Sequence, residues 1–93
     1  MKKLSKLEVS KKLKRLSGWK LVKGRNAITK SFKFNNFLSA FNWMTAIAFY
    51  AEKQNHHPEW FNVYNKLVVD LMTHDASGIT ENDTKLAKIL NSL

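Results

Sequence analysis

All three histidines of the chain lie between positions 56 and 74, and two of them are adjacent. Imidazole is the side chain best able to give and take protons near neutral pH, so His56, His57 and His74 are the candidates for acid/base chemistry. Pro58 restricts His57 to an extended backbone, which makes the two adjacent imidazoles point in different directions. Judged by spacing alone, adjacent loop histidines are more often solvated side chains without a catalytic role. The surrounding elements are therefore needed to tell whether these histidines form a catalytic cluster.

Two other kinds of chemistry fit the sequence less well. Three imidazoles can bind zinc, but neighbouring histidines do not share a helix face, and the chain has neither a cysteine nor a His-Glu-x-x-His arrangement. Nucleophilic catalysis by serine or cysteine is not supported, because the sequence has neither a nucleophile elbow nor a thiol. A zinc site is therefore the weaker hypothesis, and we expect neither a metal nor another cofactor.

The first third of the chain predicts a helix followed by a β-hairpin. Ser5 and Glu8 form a capping box that starts the helix, and Gly18 offers a left-handed residue at its end. From Trp19 the apolar residues recur with period two, through a turn at residues 24–26, as far as Phe34. This alternation is typical of two antiparallel strands.

The middle of the chain predicts a helix with two apolar faces. Asn35 or Asn36 can cap it, and the apolar spacing extends to residue 51. One stripe is expected to cover a sheet, and it consists of Phe37, Phe41, Met44, Ala48 and Ala51. The other stripe begins with Trp43, Ile47 and Tyr50. Because a second apolar stripe needs a partner, we expect a homodimer or homotetramer formed through helix 37–51.

The last third predicts a second hairpin and a final helix. Residues 60–64 and 67–74 are rich in β-branched and aromatic residues, with a short turn at Asn65-Lys66 and a loop at 75–78. Thr80 to Asp83 is another capping signature. The element order α-β-β-α-β-β-α predicts an α+β fold in which helices cover a four-stranded antiparallel sheet.

Composition supports one small domain over residues 1–93. The chain is 44% hydrophobic, enough for one modest core. We read no export signal, and the apolar run 37–51 is too short and too polar to span a bilayer, so we expect a cytoplasmic protein without a membrane partner.

Charge is concentrated in the first third of the chain. Of the 16 lysines and arginines, 12 lie in residues 1–33, which contain one acidic residue, Glu8. Such asymmetry can mark a nucleic-acid surface or attract an anionic ligand. No nucleic-acid motif accompanies it, so we expect a solvated basic face and no nucleic-acid partner.

A long segment around the histidine pair carries a specific combination of residues. Glu52 precedes the pair by four positions, Tyr64 is an aromatic residue before His74, and Asp83 follows. Residues 52–66, with Thr73-His74 and Asp83, resemble the signature of the pterin-4a-carbinolamine dehydratases. Gly18-Trp19 and the strand at 28–34 also resemble the N-terminal half of that family, so the resemblance covers nearly the whole chain.

The resemblance implies a hydro-lyase that converts a 4a-hydroxytetrahydropterin to the quinonoid dihydropterin and water, without a metal, after aromatic amino-acid hydroxylation. Carried over to matching positions, His56 and His74 are the acid and base, and His57 binds and orients the pterin. The implied substrate-binding set is Glu52, Asn55, His56, His57, Thr73, His74, Asp75 and Asp83. Glu52 lies one helical turn before His56, where it can orient an imidazole or accept from the pterin. Asp83 also has a simpler role in the capping box, and Asn82 stands where family members often have an arginine.

Two non-enzymatic functions remain as alternatives. Some animal members of the family resemble a dimerisation partner of a homeodomain transcription factor, so the chain can instead be an interaction protein that uses its apolar second helix. The basic first third can alternatively be a nucleic-acid surface. The complete histidine signature favours the enzyme, because a pure adaptor has no physical need for three placed imidazoles.

Overall fold

The computed structural model describes all 93 residues, and its element order is the predicted one. The helices are α1 (Lys6–Leu13), α2 (Phe37–Gln54) and α3 (Glu81–Ser92). The strands are β1 (Lys20–Leu21), β2 (Ile28–Lys33), β3 (Glu59–Val63) and β4 (Lys66–Leu71), and a short 3-10 turn covers His74–Ala76. The predicted α+β class is confirmed.

The four strands form one antiparallel sheet in the order β1-β2-β4-β3. Strand β4 lies inside the sheet and pairs with both β2 and β3, so its partners fix the relative positions of the two hairpins. It ends at Leu71, so the prediction that it continues to His74 is wrong. The turn between β3 and β4 lies at Tyr64 and Asn65, one residue earlier than predicted, and Tyr64 adopts a positive φ of 51°.

Each helix begins at the predicted capping residue. Ser5 and Thr80 form reciprocal capping boxes with Glu8 and Asp83, and the Asn36 side chain accepts from the amide of Ser39. These caps satisfy amides that have no partner inside the helix. Helix α1 ends well before Gly18, because its chain tightens into i to i−3 hydrogen bonds after Leu13.

The core lies on one face of the sheet. It contains twelve buried residues, which come from α1 and the segment after it, from α2, from Ile79 and α3, and from inward positions of β2 and β4. Those sheet positions are Ile28, Leu67, Val69 and Leu71. Because strand side chains alternate, Phe61 and Val68 point away from the helices and are exposed.

The face that helix α2 presents to the core combines residues of both predicted stripes, so the prediction that one whole stripe covers the sheet is wrong. Its inward side chains are Ala40, Trp43, Met44, Ile47 and Ala51. Its large exposed apolar side chains, which we call the α2 outer face, are Phe37, Leu38, Phe41, Phe49 and Tyr50. Trp43 and Ile47 therefore pack on the core and are not available to a partner. None of the three helices combines the length and the hydrophobicity that a membrane span needs.

Candidate active site

His56 is placed by the end of α2. Asn55 closes the helix in a left-handed conformation (φ 51°, ψ 42°), and the backbone N–H of His56 donates to the carbonyl of Ala51 at 3.1 Å. The His56 side chain turns inward and the residue is only 7% exposed. Its Nε2 lies 2.6 Å from Oδ1 of Asp83, at the start of α3. The imidazole is thus held at one nitrogen, and Nδ1 is the nitrogen left for other contacts.

Asp83 combines its capping role with its contact to His56. Its Oδ2 accepts from the backbone N–H of Thr80 at 2.9 Å, completing the capping box, and from the hydroxyl of Thr73 at 2.9 Å. The Thr73 and Thr80 hydroxyl oxygens are 2.7 Å apart. A fully buried carboxylate therefore joins the end of α2, the residue before His74 and the start of α3.

The His57 side chain lies on the protein surface, beside Glu52. Its Nε2 is 2.7 Å from Oε1 of Glu52, and its side chain is 54% exposed. Glu52 thus contacts His57, although the sequence placed it one turn before His56. The left-handed Asn55 reverses the chain, so the second imidazole returns toward the last turn of α2.

His74 begins the 3-10 turn that follows β4, and its side chain is 72% exposed. Thr73 pairs with Gly78 across this loop, and the backbone N–H of Ser77 donates to the carbonyl of His74 at 3.0 Å. The Nε2 atom of His74 lies 3.1 Å from Oε2 of Glu59. Sequence reasoning missed Glu59; its position directly after the His-His-Pro run was the available signal.

Two of the three remaining expected binding residues have free side chains. Asn55 and Asp75 are both exposed and make no side-chain hydrogen bond within the chain. The hydroxyl of Thr73, in contrast, is hydrogen-bonded to Asp83 and Thr80. Asn55 and Asp75 can thus meet a ligand directly, whereas Thr73 secures the loop.

The three histidines share one arrangement, in which each Nε2 faces a different carboxylate. An ionised carboxylate only accepts hydrogen bonds, so it favours a proton on Nε2 and leaves Nδ1 free to accept a proton from a ligand. Such a pair can exchange protons through Nδ1 while its orientation is kept. No three histidine or carboxylate side chains converge closely enough to hold a metal ion.

A separate groove of about 820 Å³ lies between α1 and α3, and none of the histidines lines it. Its cationic lining residues are Lys11, Lys12, Lys14, Arg15, Lys85 and Lys88, with Glu8 and Glu81 as the acidic ones. We call it the basic groove. The fold thus brings two lysines of α3, Lys85 and Lys88, next to the basic residues of α1 and the segment after it.

Comparison with known proteins identifies the family of this chain. The model of the family described as pterin 4 alpha carbinolamine dehydratase matches residues 2–93. A relative from Brucella ovis, named provisionally as a pterin-4-alpha-carbinolamine dehydratase, is 50% identical over 90 residues, which cover 97% of this chain and 93% of the relative. A relative of the same name from Brucella melitensis biotype 1 matches to the same extent.

A solved structure shows the same fold. The crystal structure of a transcriptional coactivator/pterin dehydratase from Brucella melitensis superposes with a TM-score of 0.95 at 50% identity, covering 97% of this chain and 96% of that one. The chain is therefore a small α+β enzyme of the hydro-lyase class. It belongs to the pterin-4-alpha-carbinolamine dehydratase family.

Proposed function

We propose that the chain dehydrates a 4a-hydroxytetrahydropterin by histidine acid/base catalysis. The observation that carries the proposal is the pairing of each histidine Nε2 with a carboxylate, which leaves three oriented imidazoles with one free nitrogen each. Membership of the dehydratase family supports the choice of substrate class. An aromatic amino-acid hydroxylation reaction would supply this substrate, since it leaves the pterin hydroxylated at C4a.

The reaction removes a hydroxyl group from C4a and a proton from a ring nitrogen. The C4a–O bond breaks with its electron pair on oxygen, an acid protonates that oxygen to form water, and a base accepts the nitrogen proton as the C=N bond forms. Each such transfer by a placed side chain typically contributes about 10²–10⁴-fold. We assign the two transfers to His56 and His74, and the binding and orientation of the pterin to His57, Glu52, Asn55 and Asp75.

Burial distinguishes the two proton-transferring histidines. His74 is largely exposed and reaches a ligand directly, whereas His56 offers only the small part of its imidazole that Asp83 and the core leave uncovered. His56 therefore meets the substrate through Nδ1. Asp83 acts behind it by holding Nε2.

Turnover of freshly generated 4a-hydroxytetrahydropterin tests the proposal. His74→Ala and His56→Gln should each lower kcat by about 10²–10⁴-fold, and the double variant should lose less than the product of the single losses, because groups that act as one unit are not additive. Glutamine is chosen at position 56 because its amide can still donate to Asp83. His57→Ala should raise KM more than it lowers kcat.

Two controls separate the alternatives. Ser77→Ala, on the same loop as His74, should leave turnover unchanged. Activity should persist after treatment with a strong chelator, whereas a zinc mechanism would lose it. Near-normal turnover in both His74→Ala and His56→Gln, each confirmed folded, would refute histidine catalysis. Loss of activity on chelation would favour a zinc-dependent mechanism.

We also propose that a second copy of this chain covers the α2 outer face. Five large apolar side chains along one helix make an exposed surface that water solvates poorly. The face consists of uncharged side chains only, so two identical copies can meet on it without bringing like charges together. This is the assembly expected from the sequence, with the contact moved from Trp43 and Ile47 to the outward residues.

Light scattering at micromolar concentration tests the assembly. Phe41→Glu should shift the protein toward smaller species, while Leu7→Glu, which replaces another exposed apolar side chain on α1, should not. A wild-type protein that is only monomeric would contradict the proposal. An interaction protein would use the same α2 surface, but it requires no turnover, so the activity assay separates the two functions.

A further inference from the structure

Two carboxylates lie directly opposite each other at the end of the sheet next to His74. Glu59 on β3 is the cross-strand partner of Asp70 on β4, so their side chains project from the same face. Like charges in such a pair destabilise a sheet by repulsion. A compensating charge is therefore expected beside them.

Arg25, in the turn between β1 and β2, supplies that charge. Its Nη2 lies 2.9 Å from Oε1 of Glu59, and its Nη1 lies 3.4 Å from Oδ2 of Asp70. The same Nη2 is 3.0 Å from the sulfur of Met72. The planar guanidinium thus spans both acids, a geometry that the single ammonium of lysine does not reproduce.

Glu59 uses its two oxygens for different partners. While Oε1 is held by Arg25, Oε2 lies 3.1 Å from Nε2 of His74. Three segments that are distant in sequence therefore end in one chain of contacts, from Asp70 through Arg25 and Glu59 to His74. Of these four residues, only His74 belongs to the site expected from the sequence.

We propose that Glu59, held by Arg25, is the positioning residue for His74. Glu59 accepts a hydrogen bond from Nε2–H and so keeps the Nδ1 of His74 unprotonated and turned outward, where it can exchange a proton with a ligand. Arg25 keeps the carboxylate in place against the repulsion of Asp70. The catalytic part of this inference rests on the proposed function, but the placement of the His74 proton does not.

The exposure of these groups sets the size of the effect. His74, Glu59 and Arg25 are all partly open to solvent, so water can replace a lost partner. Loss of the orienting partner of a metal-binding imidazole typically costs about 10–100-fold, and because the groups here are exposed and bind no metal we expect the lower end, near tenfold. Glu59→Ala should therefore lower kcat about tenfold with little change in KM, and Arg25→Ala should act in the same direction but less.

Nitrogen-15 NMR of the imidazoles tests the placement without any substrate. At about pH 8.5, above the ordinary histidine pKa of about 6.5, His74 should carry its proton on Nε2 in the wild type. In Glu59→Ala its signals should move toward a mixture of the two tautomers. Glu52→Ala is the matched control, because it should change the signals of His57 and leave those of His74 unaltered.

The turnover assay completes the test. An unchanged His74 tautomer in Glu59→Ala overturns the inference, and so does an unchanged kcat in a variant whose tautomer has changed. Arg25→Lys should fall between wild type and Arg25→Ala if the two-pronged geometry matters. A wild-type protein that does not turn over the hydroxylated pterin would refute the proposed function instead, and the NMR result would still decide the position of the proton.

Discussion

Replacing His56 with alanine should destabilise the fold as well as the site. The substitution leaves Oδ1 of Asp83 without its donor at 2.6 Å, inside a residue that has no exposed surface. Removing one partner of a buried pair typically costs about 3–5 kcal/mol. Because Oδ2 of Asp83 keeps its contacts with Thr73 and Thr80, we expect the lower end, about 3 kcal/mol.

Such a loss is large for a domain of this size. Small domains are stable by about 5–15 kcal/mol, so a fully folded sample of His56→Ala is not guaranteed at body temperature. Hydrophobic periodicity alone would predict that the fold survives this substitution, because His56 belongs to no apolar stripe. The buried contact with Asp83 changes that expectation, and it is the reason for preferring His56→Gln in the activity assay.

Urea unfolding measures the effect directly. With a slope of about 1.5 kcal/mol per molar urea, the midpoint should fall by about 2 M. His57→Ala is the matched control, because its half-exposed imidazole should change the stability by no more than about 0.5 kcal/mol. Each variant should be measured at two protein concentrations, because self-association makes stability depend on concentration.

A double-mutant cycle with Asp83→Ala isolates the pair. If His56 and Asp83 stabilise each other, the double variant should lose about 1–3 kcal/mol less than the sum of the single losses. A His56→Ala variant within about 1 kcal/mol of wild type, or single losses that simply add, would show that the pair does not hold the fold together.

Three further predictions concern other parts of the chain. The Ser5 backbone N–H and hydroxyl hold the pKa of Glu8 below its ordinary value of 4.5, so Ser5→Ala should raise it in an NMR titration. The folded state binds this proton less readily than the unfolded state, so the stability from the capping box is present above pH 4.5 and is lost as the pH falls through the depressed pKa. Gly18→Ala should lower the thermal midpoint of unfolding more than Gly24→Ala. Both glycines have a positive φ, but an added Cβ at Gly18 would lie 2.7 Å from Cε of Lys30, whereas one at Gly24 would meet open space. Equal losses in the two variants would contradict this. Binding of duplex DNA to the basic groove should be weak, indifferent to sequence and lost as salt rises through about 0.2 M, and tight binding to one sequence at that salt would show a specific surface.

Local signals predicted the elements well. The capping boxes at Ser5 and Thr80 and the period-two alternation depend on residues a few positions apart, so the sequence contains all the information they need. Strand ends were less accurate, because β4 ends where its pairing with β2 ends, at Leu71. That limit is set by a different part of the chain.

The orientation of α2 could not be predicted from its own sequence. Both of its stripes are apolar, so hydrophobic periodicity does not say which one faces the sheet. The answer depends on shape: Ala40 and Ala51 are small enough to let the helix approach the sheet, and Ile47 fills the space between them. Phe41 and Phe49 are left outside.

The candidate site was predicted in composition but not in its pairings. The family resemblance named the three histidines, Glu52 and Asp83, and their catalytic roles stay a prediction. The contacts of His56 with Asp83 and of His74 with Glu59 join residues from different elements, so no local spacing reveals them. Arg25 was missed for the same reason, and the available signal for Glu59 was its position directly after the His-His-Pro run.

The buried carboxylate of Asp83 makes the site and the last helix one mechanical unit. Because it holds His56, Thr73 and the backbone amide of Thr80, the residue that caps α3, His56 cannot swing out unless the start of that helix frays as well. Local opening of this region should therefore be as rare as partial unfolding of the domain, and its amides should exchange with solvent together. The two outer histidines, His57 and His74, have exposed side chains and can move without loosening the fold.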